Sequence, residues 1–193
     1  MRVRLSADTS SAVRVARLAS QQTTLVLAIG GALAGVIGGL AMAGVGALFA
    51  VSLGHDVWYT AKQISSLVFG HSVLDQPGMA AGPVIVGSII HLLLSAIFGA
   101  VYAVLSCKVL KLTTSYGAPM IGGMVYALAI WLLAYYLALP ILDPTLLAIY
   151  SPLFIIQNIV FGTVLGLSYG ALRGENHWEY TTARTTAPAP GSE

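Results

Sequence analysis

Four apolar stretches dominate this chain, at residues 24–54, 82–107, 117–140 and 148–171. Each is near or beyond the ~20 consecutive apolar residues that cross a bilayer core. With 57% hydrophobic and only 8% charged residues, a chain of 193 residues has too little polar surface to cover itself as a soluble domain. The expected fold is all-α: a polytopic membrane protein with a four-transmembrane-helix bundle over residues 24–171 and the lipid bilayer as its surroundings.

Charge sets the expected orientation. Arg2, Arg4, Arg14, Arg17, Lys108, Lys111, Arg173 and Arg184 fall on one side of the spans, and Lys62 alone falls on the other. Lys and Arg accumulate on the cytoplasmic side, so both termini are expected in the cytoplasm. The net charge of +2 comes from those inner-side residues. It fits contact with an anionic leaflet rather than with nucleic acid. Cys107 is the only cysteine, which excludes an intramolecular disulfide and any thiol metal cluster. Its place at the cytoplasmic end of the second span predicts a reduced thiol.

The first span is too long for the h-region of a signal peptide, which runs about 7–15 residues. Residues 1–23 are expected to form a cytoplasmic basic leader. Within it Ser10 or Ser11 could cap a short helix carrying Val13, Val15, Ala16 and Leu18 on the inner membrane surface. Residues 172–193 are expected to be a disordered cytoplasmic tail, because Thr181–Glu193 has no apolar periodicity.

Sliding the second span onto the fourth by 67 positions aligns His91 with Asn158, Ser95 with Gly162, Gly99 with Gly166, Tyr102 with Tyr169 and Ala103 with Gly170. Gly30-Gly31 of the first span aligns with Gly122-Gly123 of the third at a shift of 92. A parallel 2+2 repeat would produce these matches. So would chance alignment of glycine-rich apolar helices.

Small residues mark the faces expected to pack. Gly31, Gly35, Gly39, Ala43 and Ala47 recur at every fourth position in the first span, as do Gly162, Gly166 and Gly170 in the fourth; Gly99 continues the His91 and Ser95 stripe of the second. Helices in lipid associate through close backbone approach rather than a hydrophobic force, so such ladders mark seams. The first-span ladder would also serve a homodimer if the bundle did not use it internally.

Polar residues within the spans are few. His91, Ser95, Gln157 and Asn158 reach nearly the same depth, since His91 lies about nine residues and Asn158 about ten inside the outer ends of their spans. They are expected to form an intramembrane polar cluster in which His91 bonds to Asn158 or Gln157. Interhelical hydrogen bonding is preferred to a protonatable transport site, because no Asp or Glu lies inside any span.

Trp131, Tyr135, Tyr136 and Tyr150 read as an interfacial aromatic belt. Pro140 and Pro144 bracket the turn between the last two spans, and Pro152 fits a first helical turn. In the outer loop, residues 55–81, a short interfacial helix is expected from Asp56 to Phe69. Its apolar face would carry Val57, Ala61, Ile64 and Val68, its N-cap Asp56 and its C-cap Gly70. His55, Asp56, His71 and Asp75 in this loop match no metal-ligand spacing, so no metal and no cofactor are expected. No HExxH, Walker, GxSxG or CxxC pattern occurs, and no reaction is expected either.

The stretch His91-Leu-Leu-Leu-Ser95-Ala-Ile-Phe98-Gly99-Ala-Val-Tyr102, with Gly122-Gly123, Trp131, Pro140 and Asn158-Ile-Val-Phe161-Gly162, resembles the YagU-like group of small bacterial inner-membrane proteins of uncharacterised function. The resemblance covers the last three spans and implies a multi-pass protein of the bacterial cytoplasmic membrane. It implies a His in the fourth helix where this chain has Asn158, which weakens any paired-histidine mechanism. Two functional expectations stand. One is a structural or accessory protein that oligomerises or binds a membrane-protein partner through its glycine faces. The other is a small dimeric transporter or channel built around the His91 and Asn158 depth.

Overall fold

A computed structural model describes the backbone of residues 4–110, 117–144 and 146–186, and side chains over 24–110, 117–144, 146–147 and 152–173. The helices are α1 (Arg4–Ser52), α2 (Tyr59–Phe69), α3 (Ala81–Val104), α4 (Ala118–Leu133), α5 (Leu139–Leu142) and α6 (Leu146–Thr186), and no strand occurs among the described residues. Wider π turns at Leu105–Val109 and Ala134–Ala138 extend α3 and join α4 to α5. The second ends two residues before Pro140, which has no N–H to donate and whose ring crowds the carbonyl four residues back.

Four segments are long and apolar enough to cross a membrane: Thr24–Ser52, Ala81–Val109, Ala118–Leu142 and Pro152–Arg173. Each end lies within four residues of the boundary expected from hydropathy. The flanks differ more. Ser10 and Ser11 do not cap a separate helix, because α1 is already helical at Arg4 and runs unbroken into the first apolar segment. No Gly or Pro lies between Arg4 and Thr23 to stop propagation. The tail is likewise helical as far as Thr186, two residues before Pro188, while 187–193 lie outside the described residues. Pro152 sits inside α6 rather than in its first turn, because the helix begins at Leu146.

In space α1 packs against both α3 and α6, α4 packs against α6, and α2 lies on α3. The core is made of small and aromatic residues with one leucine: Ala34, Ala103 and Ala127 with Tyr102, Phe161, Tyr169 and Leu165. Large aliphatic side chains such as Leu33, Ile37, Ile89, Leu93, Val125 and Leu132 point outward.

The glycine ladders make both tight seams within the chain. A Cβ on Gly35 would overlap the Ser95 carbonyl oxygen and lie 2.9 Å from the Gly99 Cα. A Cβ on Gly123 would overlap the Gly162 carbonyl oxygen and lie 3.1 Å from the Gly166 Cα. Gly99 faces the carbonyl of Gly31, and Gly166 faces that of Pro119. The α1–α3 and α4–α6 pairs therefore pack alike. The shift of 67 between the second and fourth spans holds in this packing, whereas the first and third spans correspond at 88 rather than 92. Gly35 matches Gly123 and Gly31 matches Pro119, one helical turn from the alignment on the Gly-Gly pairs. A slide of one turn leaves the same helix face forward, so the glycine pattern alone does not separate the two registers.

The correspondence breaks where the pairs meet. Gly38 lets α1 close on α6, its Cβ position lying 3.0 Å from the Phe161 carbonyl oxygen. Tyr126 stands at the matching place on α4 and donates its hydroxyl to the Phe98 carbonyl of α3 at 2.9 Å. A ring in place of a hydrogen atom holds α3 and α4 apart.

Candidate functional site

Among the described residues, the buried polar side chains other than Ser106 lie between the end of the bundle that carries the 55–81 loop and its middle. Nearest that end is α2, whose inward side is polar. Lys62, Gln63, Ser65 and Ser66 are buried, Ala61 and Ile64 are half-buried, and Val57 and Val68 are 49% and 62% exposed. This reverses the expected apolar face. The physical reason is partnering. The Lys62 ammonium donates to Asp56 Oδ2 at 2.5 Å and to the Gln76 carbonyl at 2.7 Å, and Ser65 and Ser66 donate to the carbonyls of Lys62 and Gln63. Those bonds offset the cost of removing the polar groups from water. Gly87 lets α2 approach, since its Cβ position is 2.8 Å from the Ala61 carbonyl carbon.

Asp56 is not the helix cap. Trp58 holds that position without a side-chain bond, and Asp56 Oδ1 accepts from the Trp58 amide at 2.9 Å one turn earlier. Gly70 does close α2, with φ of 81° and its amide on the Ser66 carbonyl at 2.8 Å. A positive φ there is open to glycine at little cost. Of the other loop residues, His55 stacks on Tyr59 at 3.8 Å, and His71 Nε2 lies 2.9 Å from Asp143 Oδ2. Asp75 is exposed, and no group of three or more His, Cys, Asp or Glu that could hold a metal occurs among the described residues.

Deeper along α1, Thr60 Oγ1 and Gln157 Nε2 converge on Gly46, 3.0 and 3.5 Å from its Cβ position. His91 Nε2 lies 2.9 Å from the Gly39 carbonyl oxygen. Because a carbonyl only accepts, Nε2 carries the hydrogen in this bond. Gly39 and Gly46 are two turns apart on one face, so the His91 and Gln157 groups are separated by roughly 10 Å along the helix. Asn158 turns away as well and donates to the Phe154 carbonyl of its own helix at 2.8 Å. The expected bond from His91 to Asn158 or Gln157 is replaced by one from His91 to backbone. Gly39 exposes its own carbonyl by having no side chain, and that acceptor lies closer.

Ser95 Oγ donates to the His91 carbonyl at 2.7 Å and packs on Gly39. Ser95, Gln157 and Asn158 are all buried, and His91 is half-buried. Of the ladder glycines, Gly31, Gly35 and Gly39 meet α3 while Gly162 and Gly166 meet α4; Gly170 is looser, 3.4 Å from Pro119.

A tyrosine network at the other end of the bundle escaped the reading by span depth. Tyr102 donates to the Pro119 carbonyl at 2.5 Å, and Tyr169 lies 3.2 Å from Cys107 Sγ. Tyr102 and Tyr169 meet edge to face at 5.7 Å. Their alignment at the shift of 67 was the available signal. Trp131, Tyr135 and Tyr136 form one cluster with centroids 5.1–6.0 Å apart, and the Trp131 Nε1–H is buried with no acceptor among the described residues.

The hydroxyls of Ser65, Ser66 and Ser95 and the amide of Asn158 donate to backbone carbonyls three or four residues back on their own helices, which fastens side chains rather than presenting them to a solute. No protein-family model, curated protein or solved structure matches this chain.

Proposed function

We propose that this chain is an integral, multi-pass protein of the bacterial inner membrane with both termini cytoplasmic, and that its role is structural or accessory. The observation that carries the reading is the two glycine seams, Gly31, Gly35 and Gly99 on one side and Gly123, Gly162 and Gly166 on the other. They fix two helix pairs by backbone contact while the large aliphatic side chains face outward, the distribution suited to hydrocarbon surroundings. The outward Leu67, Val68 and Phe69 of α2 suit an interfacial position in the same way. The resemblance to the YagU-like group agrees with this location and class.

Because the ladder glycines are spent inside the chain, a second copy or a membrane-protein partner would be met by the exposed aliphatic faces instead. Crosslinking in native membranes tests this. A discrete crosslinked species is expected, and isolated monomers at every crosslinker length would count against an accessory role.

A second reading, a small dimeric transporter, has one observation in its favour: buried Gln63, Gln157, Asn158 and Ser95 with half-buried His91 form a polar string into the bundle. Proton flux into liposomes that is lost in His91→Ala would favour it. Absence of flux in both proteins would leave the accessory reading.

A further inference from the structure

We propose that the cleft between α3 and α4 is a binding site for one hydrocarbon chain of a phospholipid. The inference rests on the chain being an integral membrane protein.

The cleft exists because Tyr126 stands where α1 has Gly38, so α3 and α4 are bridged by side chains instead of touching. It is open on one side and encloses about 570 Å³. Leu105, Ile121, Val125 and Ala129 line it with the rings of Tyr102 and Tyr126. The only side-chain polar atoms among these are the two tyrosine hydroxyls, and both are committed, to the carbonyls of Pro119 and Phe98. A polar metabolite would find no free partner here, whereas an alkyl chain needs none.

From Ala118 to Ala129 the cleft follows α4 for roughly 16 Å, about half the ~30 Å hydrocarbon core and thus the depth of one leaflet, which is the reach of one acyl chain. At one end the turn Leu105–Leu110, whose two leucines line the cleft, carries exposed Lys108. Lys108 donates to the Thr24 hydroxyl and has no carboxylate partner among the described residues. An exposed ammonium on the turn that ends the apolar cleft suits a phospholipid, with phosphate near the charge and chain in the groove.

The test uses the full chain in nanodiscs of phosphatidylethanolamine and phosphatidylglycerol, doped with phosphatidylglycerol bearing a diazirine on one acyl chain. Photolabelled residues are read by peptide mass spectrometry. Ile121 and Val125 are 58% and 62% exposed; Ile29 and Leu33 on α1, 53% and 57% exposed, serve as controls, Leu33 level with Ile121 and Ile29 one turn closer to the start of α1. Labelling at Ile121 and Val125 is expected to exceed that at Ile29 and Leu33 several-fold. Val125→Trp and Ala129→Phe, which fill the cleft from different turns of α4, are each expected to cut labelling at Ile121 several-fold and to leave Ile29 and Leu33 unchanged. Equal labelling at the four sites, indifference to both substitutions, or a cleft left unlabelled while the controls react would overturn the proposal. The last outcome would mean that protein covers the cleft. Absence of label at Ile29 and Leu33 as well would instead remove the membrane reading itself.

Discussion

His91 Nε2 lies 2.9 Å from the carbonyl oxygen of Gly39, joining α3 to α1 where α1 presents bare backbone. The Gly39 carbonyl keeps its place in the helix, so the imidazole adds a second bond to an oxygen with two lone pairs. His91→Ala is therefore expected to cost about 0.6 kcal/mol, the scale of interhelical hydrogen bonds in membrane proteins. Thermal unfolding in detergent micelles checks this. A loss of several kcal/mol would mean that His91 holds more than this bond.

Glycines that look alike in the sequence should respond in opposite ways. A side chain at Gly35 or Gly99 collides with backbone, which has nowhere to move, while Gly30 and Gly44 have no neighbouring atom within 4 Å. Gly35→Leu should destabilise by about 3 kcal/mol or fail to assemble. Gly44→Leu should change stability by less than about 0.5 kcal/mol. Melting temperatures of the two variants beside wild type decide the matter.

Lys62 is the only Lys or Arg of residues 55–81, and its side chain is 1% exposed against 30% for Asp56. Removing the carboxylate strands a buried ammonium, so Asp56→Ala should cost on the order of 2 kcal/mol, below the full buried-pair penalty because Asp56 is partly wet. Lys62→Met removes charge and desolvation together and should be close to neutral. Limited proteolysis of the loop at residues 55–81 reads both. Faster cleavage in Lys62→Met than in Asp56→Ala would contradict the argument.

Tyr126→Phe removes the bond to the Phe98 carbonyl and should cost about 1 kcal/mol. Its sharper consequence is geometric: with the ring kept and the tether lost, α3 and α4 should become free to separate. Spin labels at Leu94 and Leu132, both exposed, should show a broader distance distribution than in wild type. An unchanged distribution would assign the spacing of these helices to the ring alone.

Much of the architecture was legible in one dimension. Hydropathy summed over twenty residues locates Thr24–Ser52 and its three counterparts, because crossing length is a property of each segment by itself. Glycine at every fourth position picks out the packed faces for the same reason, since helix geometry converts spacing into a stripe. Gly70 as the end of α2 follows from a local conformational need.

What only the tertiary structure decided are the choices among neighbours. The correspondence of α1 with α4 differs by one turn from the one the Gly-Gly pairs suggest, because a one-turn slide presents the same face. The inward side of α2 is polar because Asp56, the Gln76 carbonyl and the bundle satisfy it, and none of these partners can be read from the periodicity of α2. His91 selects Gly39 over Asn158 by proximity across a seam whose crossing is set by Gly35 and Gly99. A sequence records which groups need partners, and packing determines which partners are within a bond length.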